Sequence, residues 1–138
     1  MPGLARFGVS LEDGLLRKSD ILLKEKGYSN RSEFIRDLIR NELVKKEWLD
    51  KTEVVGAITL VYDHHKRELI NSLTDIQHDF HELIVSGQHI HLDSHNCLEI
   101  IAVKGSPKRI DELANKLRSA KGVKHGGLSM TTTGKNLV

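Results

Sequence analysis

The sequence predicts an α+β protein in two parts, a β-α-α segment followed by a β-α-β-β-α-β segment. Three observations carry this reading. Apolar residues alternate from Leu4 to Leu11 and then recur at helical spacing as far as Leu43. From Val54 onward, β-rich and amphipathic stretches trade places in the order just given. Seven of the eight histidines lie between His64 and His95, and none precedes them. Charge divides too: residues 1–51 hold eleven Lys/Arg against nine Asp/Glu, whereas residues 52–138 hold ten of each. The halves are expected to join near Leu49-Asp-Lys-Thr-Glu53, giving domains over 1–51 and 54–138.

Composition narrows the classes. A chain of 138 residues suits one ordinary domain or two small ones. With 38% hydrophobic and 29% charged residues, a globular protein is expected. No apolar run approaches the roughly 18 residues of a membrane span, and the N-terminus lacks an apolar signal core. The single cysteine excludes an internal disulfide and fits a reducing compartment, so a cytoplasmic location is expected. Net charge of +2 is too mild to argue for nucleic acid by itself. Three Phe, two Tyr and one Trp offer little material for base stacking, which disfavours single-stranded ligands.

The first element reads as a half-buried strand. Phe7, Val9 and Leu11 share one face, and Arg6, Gly8 and Ser10 the other. Glu12 and Asp13 then open a helix with acids in its first turn, which suits the helix dipole. Leu15, Leu16, Leu22 and Leu23 form its stripe, and Gly27 ends it after Lys24 and Lys26. Asn30-Arg-Ser-Glu33 is a capping pattern ahead of Phe34, Ile35, Leu38, Ile39 and Leu43. One strand and two helices bury little apolar area alone, and a lone strand leaves both ladder edges open. Pairing the strands of two chains removes both problems, and a two-stranded ribbon fits the DNA major groove.

The second part orders as strand Val54–Tyr62, helix His64–Glu82, the His89 strand, strand Leu98–Val103, helix Pro107–Ala120 and strand Val123–Thr133. That is a ferredoxin-like arrangement, with two helices on one sheet face and the other face free for a second subunit. Pro107 suits a helix start, and Ile110, Leu113, Ala114 and Leu117 share a face. On a wheel of about 100° per residue, Leu69, Leu73, Ile76 and Phe80 cluster and His78 lies opposite them.

The chemistry concentrates in His89-Ile-His91-Leu-Asp-Ser-His95-Asn-Cys97. His89 and His91 face one way on a strand, with Ile90 and Leu92 expected on the opposite, core-facing side. A turn at residues 93–96 can fold Cys97 back beside them. Two imidazoles and a thiolate make a three-ligand site for a borderline or soft metal. Singly, each residue reads as well as a solvated histidine or a buried thiol; together they point to metal.

The alternating strand, the helix, Gly27-Tyr28, Asn30-Arg-Ser-Glu33 and the second amphipathic helix resemble a ribbon-helix-helix DNA-binding domain. That resemblance implies base reading by Arg6, Gly8 and Ser10, and phosphate contact around Asn30, Arg31 and Ser32. Gly8 departs from the polar residue usual there, since glycine offers a base edge no side chain. With Gln77-His78, His89-Ile-His91 and His95-Asn-Cys97-Leu-Glu99 added, the whole chain resembles the NikR family of nickel-responsive transcriptional regulators. The resemblance implies an ACT-type second domain and one planar Ni(II) site per chain. Its ligands would be His89, His91 and Cys97 of one chain and His78 of a neighbour. Glu99 and Tyr62 would support the ligands, and Lys66 and Arg67 would touch DNA phosphate. Glu33 and Asp37 would form a second, harder cation site, although capping and pairing with Arg36 or Arg40 explain them as well. A homotetramer, built as a dimer of dimers on a palindromic double-stranded operator, and a repressor role follow from the same resemblance.

Two other functions compete. A zinc hydrolase would use three ligands, an open position and Glu99 as base, but leaves the first half without a role. A ribbon-helix-helix regulator could instead respond to another metal or to an amino acid, since divalent affinity order alone favours Cu over Ni.

Overall fold

The computed structural model describes residues 3–50, 52–135 and 137. Lys51, in the expected joint, and Met1, Pro2, Asn136 and Val138, at the outer limits of the expected domains, lie outside the described residues. The chain divides into two compact units, Met1–Asn41 and Glu42–Val138.

In the first unit, helix α1 spans Asp13–Glu25, and α2, Arg31–Asp50, begins there. Gly27, at φ 83°, ends α1. Its N–H donates to Lys24 O at 3.0 Å, and Tyr28 N–H to Leu23 O at 2.9 Å, which closes the last turn. Asn30 caps α2 by accepting from Glu33 N at 2.9 Å. Glu33 reaches back to Ser29 N at 3.4 Å, one residue further than the usual reciprocal cap. Leu23 and Phe34 are buried, and the Phe34 ring lies 5.2 Å from that of Tyr28.

The strand expected over residues 4–11 is not formed as a hydrogen-bonded strand. Phe7, Val9 and Leu11 are 70%, 59% and 45% exposed rather than half-buried. The reason is physical. A strand needs a ladder partner, and one chain of this unit supplies none among its described residues.

The second unit is a four-stranded antiparallel sheet in the order β2-β3-β1-β4. Its elements are β1 Val54–Asp63, α3 Arg67–Asp79, a 3-10 turn His81–Leu83, β2 Ile84–His91, β3 Asn96–Gly105, α4 Pro107–Ser119 and β4 Val123–Thr131. Burial along β1 alternates strictly, so Val54, Ile58, Leu60 and Tyr62 face a core that α3 and α4 cover. Ser106 caps α4 by accepting from Arg109 N, with Pro107 at the first turn. Ile110, Leu113, Ala114 and Leu117 are fully buried as the wheel requires. Each large side chain among them contributes about 1.5–3 kcal/mol.

Trp48, near the end of α2, lies in this core and donates from Nε1 to Thr131 O at 2.9 Å. Gly56 makes room for it. A Cβ at position 56 would stand 2.8 Å from Ser129 O and 3.1 Å from the indole.

The single helix expected from His64 to Glu82 is shorter at both ends. Asp63 holds a turn, accepting His65 N–H on its carboxylate at 2.9 Å and Lys66 N–H on its carbonyl at 3.3 Å. This local arrangement satisfies backbone groups that a helix would otherwise claim. At the other end Phe80 N–H is shared between Ile76 O and Gln77 O, and the chain tightens into the 3-10 turn.

Candidate metal centre

β2 is an edge strand and β3 its neighbour. In their register His91 stands opposite Cys97, and His89 opposite Glu99. Residues directly opposite in an antiparallel pair share a sheet face, with Cα atoms about 4.5–5.5 Å apart. Cys97 and Glu99 are both 2% exposed on the helix-covered face. His89 and His91 therefore lie at the rim of that same face, and both are exposed.

This corrects one expectation. Ile90 pairs with Leu98 on the opposite sheet face, and Leu92 is 52% exposed beyond the strand end. The core lies on the histidine side, because register with the buried Cys97 and Glu99 outweighs the apolar character of Ile90.

Glu99 is the anchor of the face. Tyr62 donates to its Oε1 at 2.6 Å and Gln77 to its Oε2 at 2.8 Å. His89 Nε2 lies 3.6 Å from Oε2, and His89 Nδ1 lies 3.4 Å from the Tyr62 hydroxyl. Burial, then the bond to Glu99, pushes the Tyr62 phenol well above its ordinary value. The Cys97 thiol points toward Leu98 O at 3.7 Å. A carboxylate held by two donors beside an imidazole is suited to orienting that imidazole.

The donor set of two imidazoles and one thiol on a single face fits a borderline metal such as Ni(II), Cu(II) or Zn(II). His78 lies on α3 and is exposed, stacked on His81 with ring centroids 6.0 Å apart. Leu69, Leu73 and Phe80 from the opposite side of the wheel are buried.

A further imidazole group went unnoticed in the sequence. The His64 ring lies 4.7 Å from that of His91 and 4.2 Å from that of His65. His64 Nδ1 is buried and has no hydrogen-bond partner among the described residues. His65 approaches His95 at 5.5 Å. Asp63, His65 and His95 bring one donor atom each to within 4.8 Å of one another. Gln77 was missed as the second donor to Glu99. Its position four residues after the buried Leu73 was the available signal.

The other expected residues are placed as follows. Lys66 and Arg67 are exposed at the start of α3. Arg6, Gly8, Ser10, Asn30 and Ser32 are exposed in the first unit. Arg31, also exposed, forks onto Asp20, with Nε to Oδ1 at 2.9 Å and Nη2 to Oδ2 at 2.8 Å. That fork holds the Asp20 carboxyl below its ordinary value. Glu33 and Asp37 line a cavity of about 340 Å³ with Tyr28, Arg36 and Arg40, and the Tyr28 hydroxyl donates to Asp37.

A ferredoxin-like sheet with an imidazole–thiol pairing between its edge strand β2 and the neighbouring β3 has the architecture and donor chemistry of a small metal-binding domain. The family described as NikR C terminal nickel binding domain matches residues 55–131. Relatives match nearly the whole chain under the printed name "Putative nickel-responsive regulator". One from Syntrophus aciditrophicus is 58% identical over 98% of both chains. One from Nitratidesulfovibrio vulgaris is 56% identical over 96% of both. One from Pyrococcus furiosus is 53% identical over 99% of both. This chain belongs to the NikR family of nickel-responsive regulators. Uncharacterized protein TM1266 from Thermotoga maritima has a TM-score of 0.53 at 16% identity, covering 58% of this chain and 99% of that one, and shares the fold alone. The family is one of regulators and not of enzymes, and Glu99, engaged by two donors, is not placed as a free base.

Proposed function

We propose that the chain is a nickel-dependent, sequence-specific DNA-binding repressor. Its nickel ligands are His89, His91 and Cys97 of one chain and His78 of a neighbour, one Ni(II) per chain. The observation that carries this is the register of His91 with Cys97 beside the Tyr62–Glu99 pair, with His78 exposed on the far side of α3. Imidazole and thiolate donors of these residues would hold the nickel, and the bound ion would link the two chains that supply them. The protein's own part would be orientation: Glu99 and Tyr62 lie beside the His89 ring, and Cys97 stands opposite His91 in the β2–β3 register.

Residues 1–51 form a ribbon-helix-helix domain and residues 54–138 the nickel and oligomerisation domain. The exposed Phe7, Val9 and Leu11 support pairing of two N-terminal segments into a ribbon, with Arg6, Gly8 and Ser10 turned to the bases. Asn30, Arg31, Ser32, Lys66 and Arg67 contact phosphate of a palindromic operator. The half-buried face of Ala57, Thr59, Val61, Ile100 and Ala102 supports a dimer of dimers. Glu33 and Asp37 hold a second, hard cation, and the protein works in the cytoplasm.

Mixing two variants tests the shared site. His78→Ala and Cys97→Ala each lose the thiolate–nickel absorption band. A dimer with one chain of each kind contains one whole site and one lacking both residues. Co-refolding should therefore restore one band per two chains. A mixture that stays silent, with mixed dimers confirmed by mass, would show that no ligand is shared.

A further inference from the structure

Asp63 ends β1 and Asn96 begins β3, and the two are paired in register. The residues flanking this end of the ladder, Asp63, His65 and His95, carry a carboxylate and two imidazoles. Their donor atoms all lie within 4.8 Å of one another. We propose that Asp63, His65 and His95 form a second metal site, for a divalent first-row ion bound without sulfur.

Three observations support it. The first is donor chemistry. Two imidazoles and one carboxylate suit Zn(II), Ni(II) or Co(II) and leave positions for water. None of the three residues belongs to the imidazole–thiol set.

The second is that both backbone segments are held before any ion arrives. His64 N–H donates to His95 O at 3.0 Å and ties the segments together. Asp63 accepts His65 N–H at 2.9 Å, so its own turn fixes the spacing of two ligands. Asp93 accepts the N–H groups of His95 and Asn96 on one oxygen, at 2.8 and 2.7 Å, and fixes the third. Little backbone ordering remains to be done on binding.

The third is access and charge. His65 and His95 are exposed while Asp63 is half-buried. Asp63 brings the one carboxylate of the set, within reach of both rings. An ionised carboxylate binds a cation without first releasing a proton.

The full chain is dialysed against Ni(II), and bound metal per chain is measured by elemental analysis. The thiolate–nickel band is recorded in parallel. The wild type should bind one more equivalent than the band accounts for. His65→Ala combined with His95→Ala should lose that extra equivalent, weakening the site by more than about tenfold, and should keep the band. Cys97→Ser should do the reverse, losing the band and keeping the equivalent. Far-ultraviolet circular dichroism checks folding, which both exposed rings should leave unchanged; Asp63→Asn offers a milder second variant. Undiminished metal in the double variant, or a wild type whose bound metal equals that accounted for by the band, would overturn the second site. A wild type that binds nickel with no thiolate band at all would overturn the imidazole–thiol reading instead.

Discussion

The Tyr62 hydroxyl donates a hydrogen bond to Glu99 at 2.6 Å on a diagonal across the β1–β3 ladder. The pair sits in the core, where Gln77 also donates to the carboxylate and His89 Nε2 lies 3.6 Å from it. Tyr62→Phe would leave Glu99 short of one donor in a buried place. A loss of about 1–3 kcal/mol is expected, read as a lower denaturant midpoint at neutral pH. The phenol pKa is raised in the fold above its ordinary 10.0. Its contribution is therefore full below pH 10.0 and declines as pH rises above it, because the unfolded chain then loses a proton that the fold retains. The variant should lack this alkaline decline; equal decline in both proteins would rule out the Tyr62 assignment.

The hairpin after β2 has the opposite sign. Asp93 accepts two backbone N–H groups and the Asn96 amide, which hold its carboxyl well below the ordinary 3.8. Its stabilisation is present above pH 3.8 and fades as pH falls through the lower folded value. Asp93→Ala should lower Tm at pH 6 and converge on the wild type in strong acid. A constant difference across that range would contradict it.

Arg6 and Arg31 should fail differently on DNA. On the proposed function, Arg6→Ala would remove a base contact worth about 1–3 kcal/mol per chain and should erase the preference for operator. Arg31→Ala should weaken binding to every sequence and lower the salt slope by about 1. Asp20→Asn should act the other way, because it frees the Arg31 guanidinium from its fork. Gel shifts across a salt series read all three, and identical slopes for Arg31→Ala and wild type would exclude its phosphate role.

Gly56→Ala would bring a methyl to 2.8 Å from Ser129 O and 3.1 Å from Trp48. The backbone oxygen cannot swing aside, so the strand pair or the indole must shift. A cost of about 1–3 kcal/mol is expected, seen as a lower urea midpoint. An unchanged midpoint would mean that the neighbours give way freely.

Legibility followed physics. The β1 alternation and the α4 stripe were readable because each faces one core with one period. His64 and His65 lie before the helix rather than in it, because of a side-chain turn at Asp63 that leaves no mark on hydrophobic periodicity. Its trace is an aspartate two residues before an N–H it can accept. Ile90 is apolar yet turns away from the core, because register with β3 sets the face and apolar character alone does not. The alternation over residues 4–11 is visible in the sequence, but the described residues supply it no ladder partner. The facing of His91 and Cys97 was recoverable, since a short polar turn between two β-rich runs leaves few registers.

The burial of Trp48 makes this chain its own spectroscopic probe. The chain has one tryptophan, and its indole is enclosed within the unit Glu42–Val138 and hydrogen-bonded to Thr131 O. Its emission wavelength therefore reports melting of that unit, whereas ellipticity near 222 nm also registers α1 and the start of α2. Coincident curves from the two signals would mean that Met1–Asn41 and the rest unfold together. Separated curves would give the first unit's stability directly, with no label attached.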